Sequence, residues 1–99
     1  MKSYLVLGLG RFGQSFAKTL SSLGHDVLVV DKNENTVQQF SNEVTHAITG
    51  DVSSEELLKS IGIKNYDATI IAIGDIQPSI LTAVLLKELG SKYILAKAS

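Results

Sequence analysis

Ninety-nine residues, 44% hydrophobic and 19% charged, describe one small globular domain rather than a disordered chain. Nine basic residues against ten acidic ones leave a formal charge of −1, so no basic field exists to hold a nucleic-acid backbone and no nucleic-acid partner is expected. The chain has no cysteine, which excludes a disulfide scaffold, an iron–sulfur cluster and a zinc site built on cysteine, and fits a reducing cytoplasm.

Tyr4-Leu5-Val6-Leu7 is a continuous apolar run ended by glycine and reads as a buried strand. Lys2 precedes it, but Gly8 and Gly10 interrupt the run too early for a signal peptide. A helix is predicted from Arg11 to Leu23, because Phe12, Phe16, Leu20 and Leu23 recur at spacings of 4, 4 and 3. Gly24 stands where a left-handed cap belongs. Val27-Leu28-Val29-Val30 is the second strand, β-branched and unbroken. Asn33 is suited to cap a helix running to about Phe40, with Val37 and Phe40 inward. Ala47-Ile48-Thr49 reads as a short third strand. Ser53-Ser54-Glu55-Glu56 offers a capping box, Ser53 with Glu56, for a short helix from Ser54 to Ser60 that stops before Gly62. Ala68 to Ile73 is a fourth strand. Pro78, the only proline, is tolerated in the first turn of a helix that runs to about Leu89 and is closed by Gly90. Tyr93 to Ala96 is a fifth strand. Apolar runs such as Ala83 to Leu86 are far shorter than the roughly 20 residues a membrane span requires, so no direct membrane insertion is expected.

The order βαβαβαβαβ joins each strand to the next through a helix, which makes the strands parallel and puts helices on both faces. The expected fold is therefore α/β, a Rossmann-like doubly wound parallel sheet.

Gly8-Leu9-Gly10-Arg11-Phe12-Gly13 matches G-x-G-x-x-G between a predicted strand and a predicted helix, the setting that gives this pattern its meaning. Gly8 permits the tight turn, Gly10 lets the backbone approach a pyrophosphate, and Gly13 lets the helix pack close to the strand. Amides at the helix start then face the phosphates. A sharp turn with no ligand is the other reading of the same glycines. Asp31 ends the second strand, 21 residues after Gly10, close to the roughly 20 expected of an acid that accepts both ribose hydroxyls of an adenosine. Such an acid repels a 2′-phosphate and disfavours NADP, an effect that Lys32 beside it softens. Arg11 lies inside the loop, where a guanidinium either pairs with a phosphate in bidentate fashion or stands exposed in the first turn of the helix, which the helix dipole mildly disfavours. Gly50-Asp51 and Ile73-Gly74-Asp75 follow strands three and four at the carboxyl edge. Asp51 and Val52 either contact an adenine or form the turn into the next helix. Gly74 either admits a phosphate or second ribose or is a plain turn glycine.

Several segments together resemble the TrkA/KtrA family: Val6-Leu7-Gly8-Leu9-Gly10-Arg11-Phe12-Gly13, Gly24-His25-Asp26-Val27, Val30-Asp31-Lys32-Asn33, Ala72-Ile73-Gly74 and Leu81-Thr82-Ala83-Val84-Leu85-Leu86-Lys87-Glu88-Leu89. The likeness is greatest to the KtrA-type cytosolic gating subunits of bacterial potassium-uptake systems, which carry an RCK domain. The resemblance implies a regulatory protein, not an enzyme. It implies dimers that assemble into an octameric ring, docked at the inner face of the membrane on a potassium translocator. It implies ATP or ADP as ligand, with NAD(H) as a further one. By position Gly8, Leu9, Gly10, Arg11, Phe12 and Gly13 match the phosphate loop, Asp31, Lys32 and Asn33 the ribose contacts, and Asp51 and Val52 the adenine edge. Ala72, Ile73 and Gly74 complete the set, with Lys97 as a basic residue near the phosphates. Arg11 matches an arginine that reaches the terminal phosphate of ATP across the dimer. The family's N-lobe usually adds a sixth strand and a helix, then a C-lobe, so residues 1–99 are expected to be a truncated N-lobe lacking its last strand. An acid that some relatives use for a divalent cation would lie beyond Ser99.

A competing reading is the NAD-binding domain of a dehydrogenase, which the glycine loop and Asp31 fit equally well. Hydride transfer needs an acid–base residue. The two histidines, His25 and His46, have no partner acid at catalytic spacing and read as structural. A third reading is an assembly module without nucleotide. Ile80, Leu81, Ala83, Val84, Leu85 and Leu86 are apolar nearly all round their helix, which indicates either a dimer contact or burial against a missing strand.

Overall fold

The computed structural model describes residues 1–74 and 76–96, with the side chains of Ile76 and Gln77 left aside; the sequence's Asp75 and Lys97 therefore lie outside the described residues. In chain order the elements are β1 (Ser3–Leu7), α1 (Arg11–Ser22), β2 (Asp26–Asp31), α2 (Glu34–Phe40), β3 (His46–Thr49), α3 (Glu55–Ile61), a single 3-10 turn (Ile63–Asn65), β4 (Ala68–Ile71), α4 (Ile76–Glu88) and β5 (Ile94–Ala96). The strands form one parallel sheet in the order β3-β2-β1-β4-β5. These are the first five positions of the doubly wound order 3-2-1-4-5-6.

Both faces of the sheet are buried, which is why the strands are apolar throughout instead of alternating. Val6, Val27, Val29 and Ile70 point to one face and pack under Ala17 of α1 and Val37 and Phe40 of α2. Leu5, Leu7, Leu28, Val30 and Ile71 point to the other and pack under Leu58 of α3 and Leu86 of α4. The central strand β1 is the most enclosed, with Leu5, Val6 and Leu7 fully buried. Each such side chain contributes about 1.5–3 kcal/mol relative to exposure.

The helix ends follow local chemistry. Asn33 caps α2, its side chain accepting from the Thr36 N–H at 3.1 Å. Gly24 and Gly90 take the left-handed conformation after α1 and α4, at φ +89° and +88°. The capping residue of α3 differs from expectation. Ser54, not Ser53, caps it, accepting from the Leu57 N–H at 3.2 Å. Ser53 is drawn to the Asp51 carboxylate, which accepts both its N–H and its hydroxyl and is the stronger acceptor. Strand β4 also ends at Ile71 rather than Ile73. The Ala72 N–H still donates to the Leu7 carbonyl, but β1 then turns away at Gly8.

Candidate functional site

The chain leaves β1 through α1 toward β2 on one side, and enters β4 from α3 on the other. The strand order therefore reverses between β1 and β4, and a crevice opens beyond their carboxyl ends. It is a cleft of about 390 Å³ lined by Gly8, Leu9, Gly10, Asp31, Lys32, Asp51, Val52, Ser53, Ala72, Ile73, Gly74 and Pro78. The glycine loop, the acid closing β2, and the segments after β3 and β4 thus meet at one place.

The loop is shaped by two backbone demands. Gly8 sits at φ +103°, and a Cβ there would come within 2.6 Å of the Ala72 carbonyl oxygen. A Cβ on Gly13 would land on the Gly8 carbonyl, so glycine at that position lets α1 begin against the end of β1. Gly10, which lines the cleft, by contrast has open space where its Cβ would be. The first backbone bond inside α1 runs from the Gln14 N–H to the Gly10 carbonyl at 2.9 Å. A helix start leaves amide donors with no carbonyl of its own to reach, and such donors favour an anion.

Asp31 is fixed by that loop and by the turn after β2. One carboxylate oxygen accepts from the Leu9 N–H at 2.6 Å, the other from the Asn33 N–H at 2.9 Å. A carboxylate oxygen has more than one lone pair, so both retain acceptor capacity. Asn33 therefore acts at this site through its backbone, while its side chain caps α2. Asp51 is exposed, and its carboxyl is held below the ordinary aspartate range. The Ser53 hydroxyl at 2.7 Å is the main cause, followed by the Ser53 N–H at 2.9 Å, with Lys32 adding attraction.

The family model of the TrkA-N domain matches residues 4–99. The chain belongs to the TrkA-N domain family. It is 46% identical over 98 residues to Ktr system potassium uptake protein C of Bacillus subtilis (strain 168) and 47% identical over 98 residues to Ktr system potassium uptake protein A of the same organism. In each case the match covers 98% of this chain and 44% of the relative, so the chain spans less than half the length of these relatives. The NAD(P)-binding domain of an exopolyphosphatase-related protein from Archaeoglobus fulgidus has the same fold, with a TM-score of 0.89 at 22% identity, covering 100% of this chain and 74% of the other.

In this TrkA-N domain four of the residues named from the sequence, Arg11, Phe12, Gly13 and Asn33, stand beside the cleft rather than in its lining. Arg11 is exposed at the start of α1. Phe12 packs partly buried on the core, its ring 5.4 Å from that of Phe16. Gly13 is buried beneath the loop. Two residues of the lining, Ser53 and Pro78, were not foreseen there; the spacing Asp51-Val52-Ser53 is the signal of an Asx turn and could have found the first. The link from Leu9 to Asp31, and a second from the Gln14 side-chain amide to the Leu9 carbonyl at 2.9 Å, leave no signature in the order of residues.

The histidines of the domain lie elsewhere. His25 accepts from the Lys2 N–H at 3.1 Å through Nδ1 and meets the Tyr4 ring edge-on at 5.2 Å. His46 opens β3 at the opposite edge of the sheet, beside a smaller cavity that also holds Asp26 and Tyr66. The Tyr66 phenol there is pushed up, by burial first and by the Asp26 charge second. Among the described residues no group of three or more metal-ligating side chains comes together, and no helix is long and apolar enough to cross a membrane.

Proposed function

We propose that this TrkA-N domain is the nucleotide-binding regulatory lobe of a potassium-uptake system. The observation that carries the reading is the Asp31 carboxylate, fixed between Leu9 and Asn33 at the rim of an open glycine loop. There it can accept the two ribose hydroxyls of an adenosine while the diphosphate lies along Gly10 and the start of α1. Asp51 and Val52 then border the adenine. ATP or ADP is the ligand, and NAD(H) uses the same ribose acceptor; the negative charge of Asp31 works against a 2′-phosphate. The relatives named as Ktr potassium uptake proteins support the transport context.

In this reading the domain pairs with a second copy and assembles further into an octameric ring. The ring is held at the cytoplasmic face of the membrane by a potassium translocator. Exposed Ile80, Leu81 and Val84 on α4 offer an apolar surface for such assembly. Arg11, exposed beside the cleft, supplies a neighbour's ATP with a positive charge that ADP has no third phosphate to meet. That difference in contact is what shifts the assembly between two shapes, since a ligand bound equally by both states shifts neither. The domain carries out no reaction of its own.

The likeness in fold to an NAD(P)-binding domain favours a second reading, the cofactor domain of a dehydrogenase. Thermal melting with ATP, ADP, NADH and NADPH separates the two. A ligand at 100 times its Kd adds about 2.7 kcal/mol. In a chain of this size that is a rise of about 10–20 °C. ATP and ADP are expected to raise the Tm and NADPH to leave it unchanged. A rise with NADH alone brings the dehydrogenase reading forward, and no rise with any of the four removes the nucleotide site.

A further inference from the structure

We infer that Gln14 is a positioning residue for the phosphate-binding loop, holding it in its binding shape before a diphosphate nucleotide arrives. The inference rests on the reading of the cleft as a nucleotide site. Gly8-Leu9-Gly10 is the stretch of loop with the most backbone freedom to lose, since two of its three residues are glycine. Leu9, between them, is held on three sides. Its side chain is buried in the core under α1. Its N–H donates to Asp31 at 2.6 Å, and its carbonyl accepts from the Gln14 side-chain amide at 2.9 Å.

Gln14 binds two successive carbonyls. Its side chain takes Leu9, and its backbone N–H takes Gly10 at 2.9 Å. The peptide bonds are all trans among the described residues, and in a trans peptide the N–H points opposite to the C=O of the same plane. The planes that carry these two carbonyls also carry the N–H groups of Gly10 and Arg11. Drawing both carbonyls toward Gln14 therefore aims both N–H groups away from it. The backbone bond from residue 14 would form with any residue but proline. The bond to Leu9 needs a side chain that carries a donor at this reach. The sequence pattern G-x-G-x-x-G does not extend to this position, so the role belongs to this chain's own residue.

The consequence is selective. Gln14 acts on the part of the site that faces phosphate, while the adenosine end rests on Asp31, Asp51 and Val52. The test uses the 99-residue chain and two variants, Gln14→Met, which keeps the length without the donor, and Gln14→Ala. ADP and adenosine are titrated into each, and amide hydrogen exchange is followed without ligand. Loss of one such bond is expected to weaken ADP about three- to ten-fold. Adenosine affinity is expected to change less than about two-fold, within the scatter of a site left intact. Exchange at Leu9, whose N–H is bonded to Asp31, is expected to quicken, while exchange in β2 is unchanged. A general loss of structure would weaken both ligands together and lower the Tm of the free chain, and that result overturns the proposal. So does ADP binding that is unchanged, or Leu9 exchange that is unchanged. If adenosine binds the unsubstituted chain too weakly to measure, exchange at Leu9 decides. Failure of the unsubstituted chain to bind ADP removes the nucleotide reading and this one with it. Unsubstituted binding with indifferent variants removes only the role of Gln14.

Discussion

Gly8 and Gly10 look alike in the sequence and differ in the fold. At Gly8 a side chain meets both an unfavourable φ and the Ala72 carbonyl oxygen, whereas at Gly10 it meets open space. Gly8→Ala is therefore expected to destabilise the chain by about 1–3 kcal/mol or more, measured by denaturant unfolding. Gly10→Ala is expected to leave stability within about 0.5 kcal/mol and to weaken ADP, because the added methyl occupies the ligand's approach. Equal loss of stability in the two would contradict the loop geometry. Asp51 gives a pH dependence whose sign is fixed by its cause. Hydrogen bonds from Ser53 favour its charged form, so the native carboxyl titrates below the unfolded one. Its contribution is present above about pH 3.9, the value for an unfolded aspartate, and is lost as the pH falls through the lower native value. Carboxyl chemical shifts should report a depressed titration for Asp51, and Ser53→Ala should move it back up. An unmoved titration would assign the depression to the Ser53 N–H, which the variant keeps, and to Lys32 rather than to the hydroxyl.

The elements were legible because each apolar run is bounded by a glycine or a polar turn, and because a strand would put Gln14 and Lys18 on one face with Phe12, Phe16 and Leu20, whereas a helix separates them. Their ends were less so. Ser53 and Ser54 are equivalent in a local pattern, and the choice between them depends on whether Asp51 already holds one. Strand β4 stops where β1 turns away at Gly8, which only pairing reveals. The site divides in the same way. The glycine loop and Asp31 are a matter of spacing along one chain, and spacing survives in sequence. The bond that ties Leu9 to Asp31 joins residues 22 positions apart, and it exists only once β1 and β2 lie side by side. The capping assignment is open to a direct comparison. Ser54→Ala removes a cap and is expected to cost about 1 kcal/mol, a fall in Tm of several degrees. Ser53→Ala leaves the cap in place and should cost less. The reverse order would restore the capping box that the sequence suggested.

The sheet order brings the loop, Asp31, Asp51 and Gly74 to one edge, but it leaves Arg11 outside the cleft it borders. A guanidinium in that position is available to a ligand in another copy, and this gives the proposed regulation a property that a single domain cannot have. If Arg11 of one copy meets the third phosphate held by another, ATP binding and association are linked, and each strengthens the other by the same factor. The apparent affinity for ATP should then rise with protein concentration, while that for ADP stays nearly constant. Hydrogen bonds to charged groups contribute about 1.5–3 kcal/mol, so Arg11→Ala should weaken ATP about ten- to a hundred-fold and ADP hardly at all. It should also abolish the concentration dependence. Isothermal titration at two protein concentrations, with sedimentation to follow association, measures all three. An ATP affinity that falls on substitution yet never depended on concentration would mean that Arg11 serves its own cleft, and the regulation would then need a different contact between copies. An unchanged ratio of ATP to ADP affinity would end the role of Arg11 altogether.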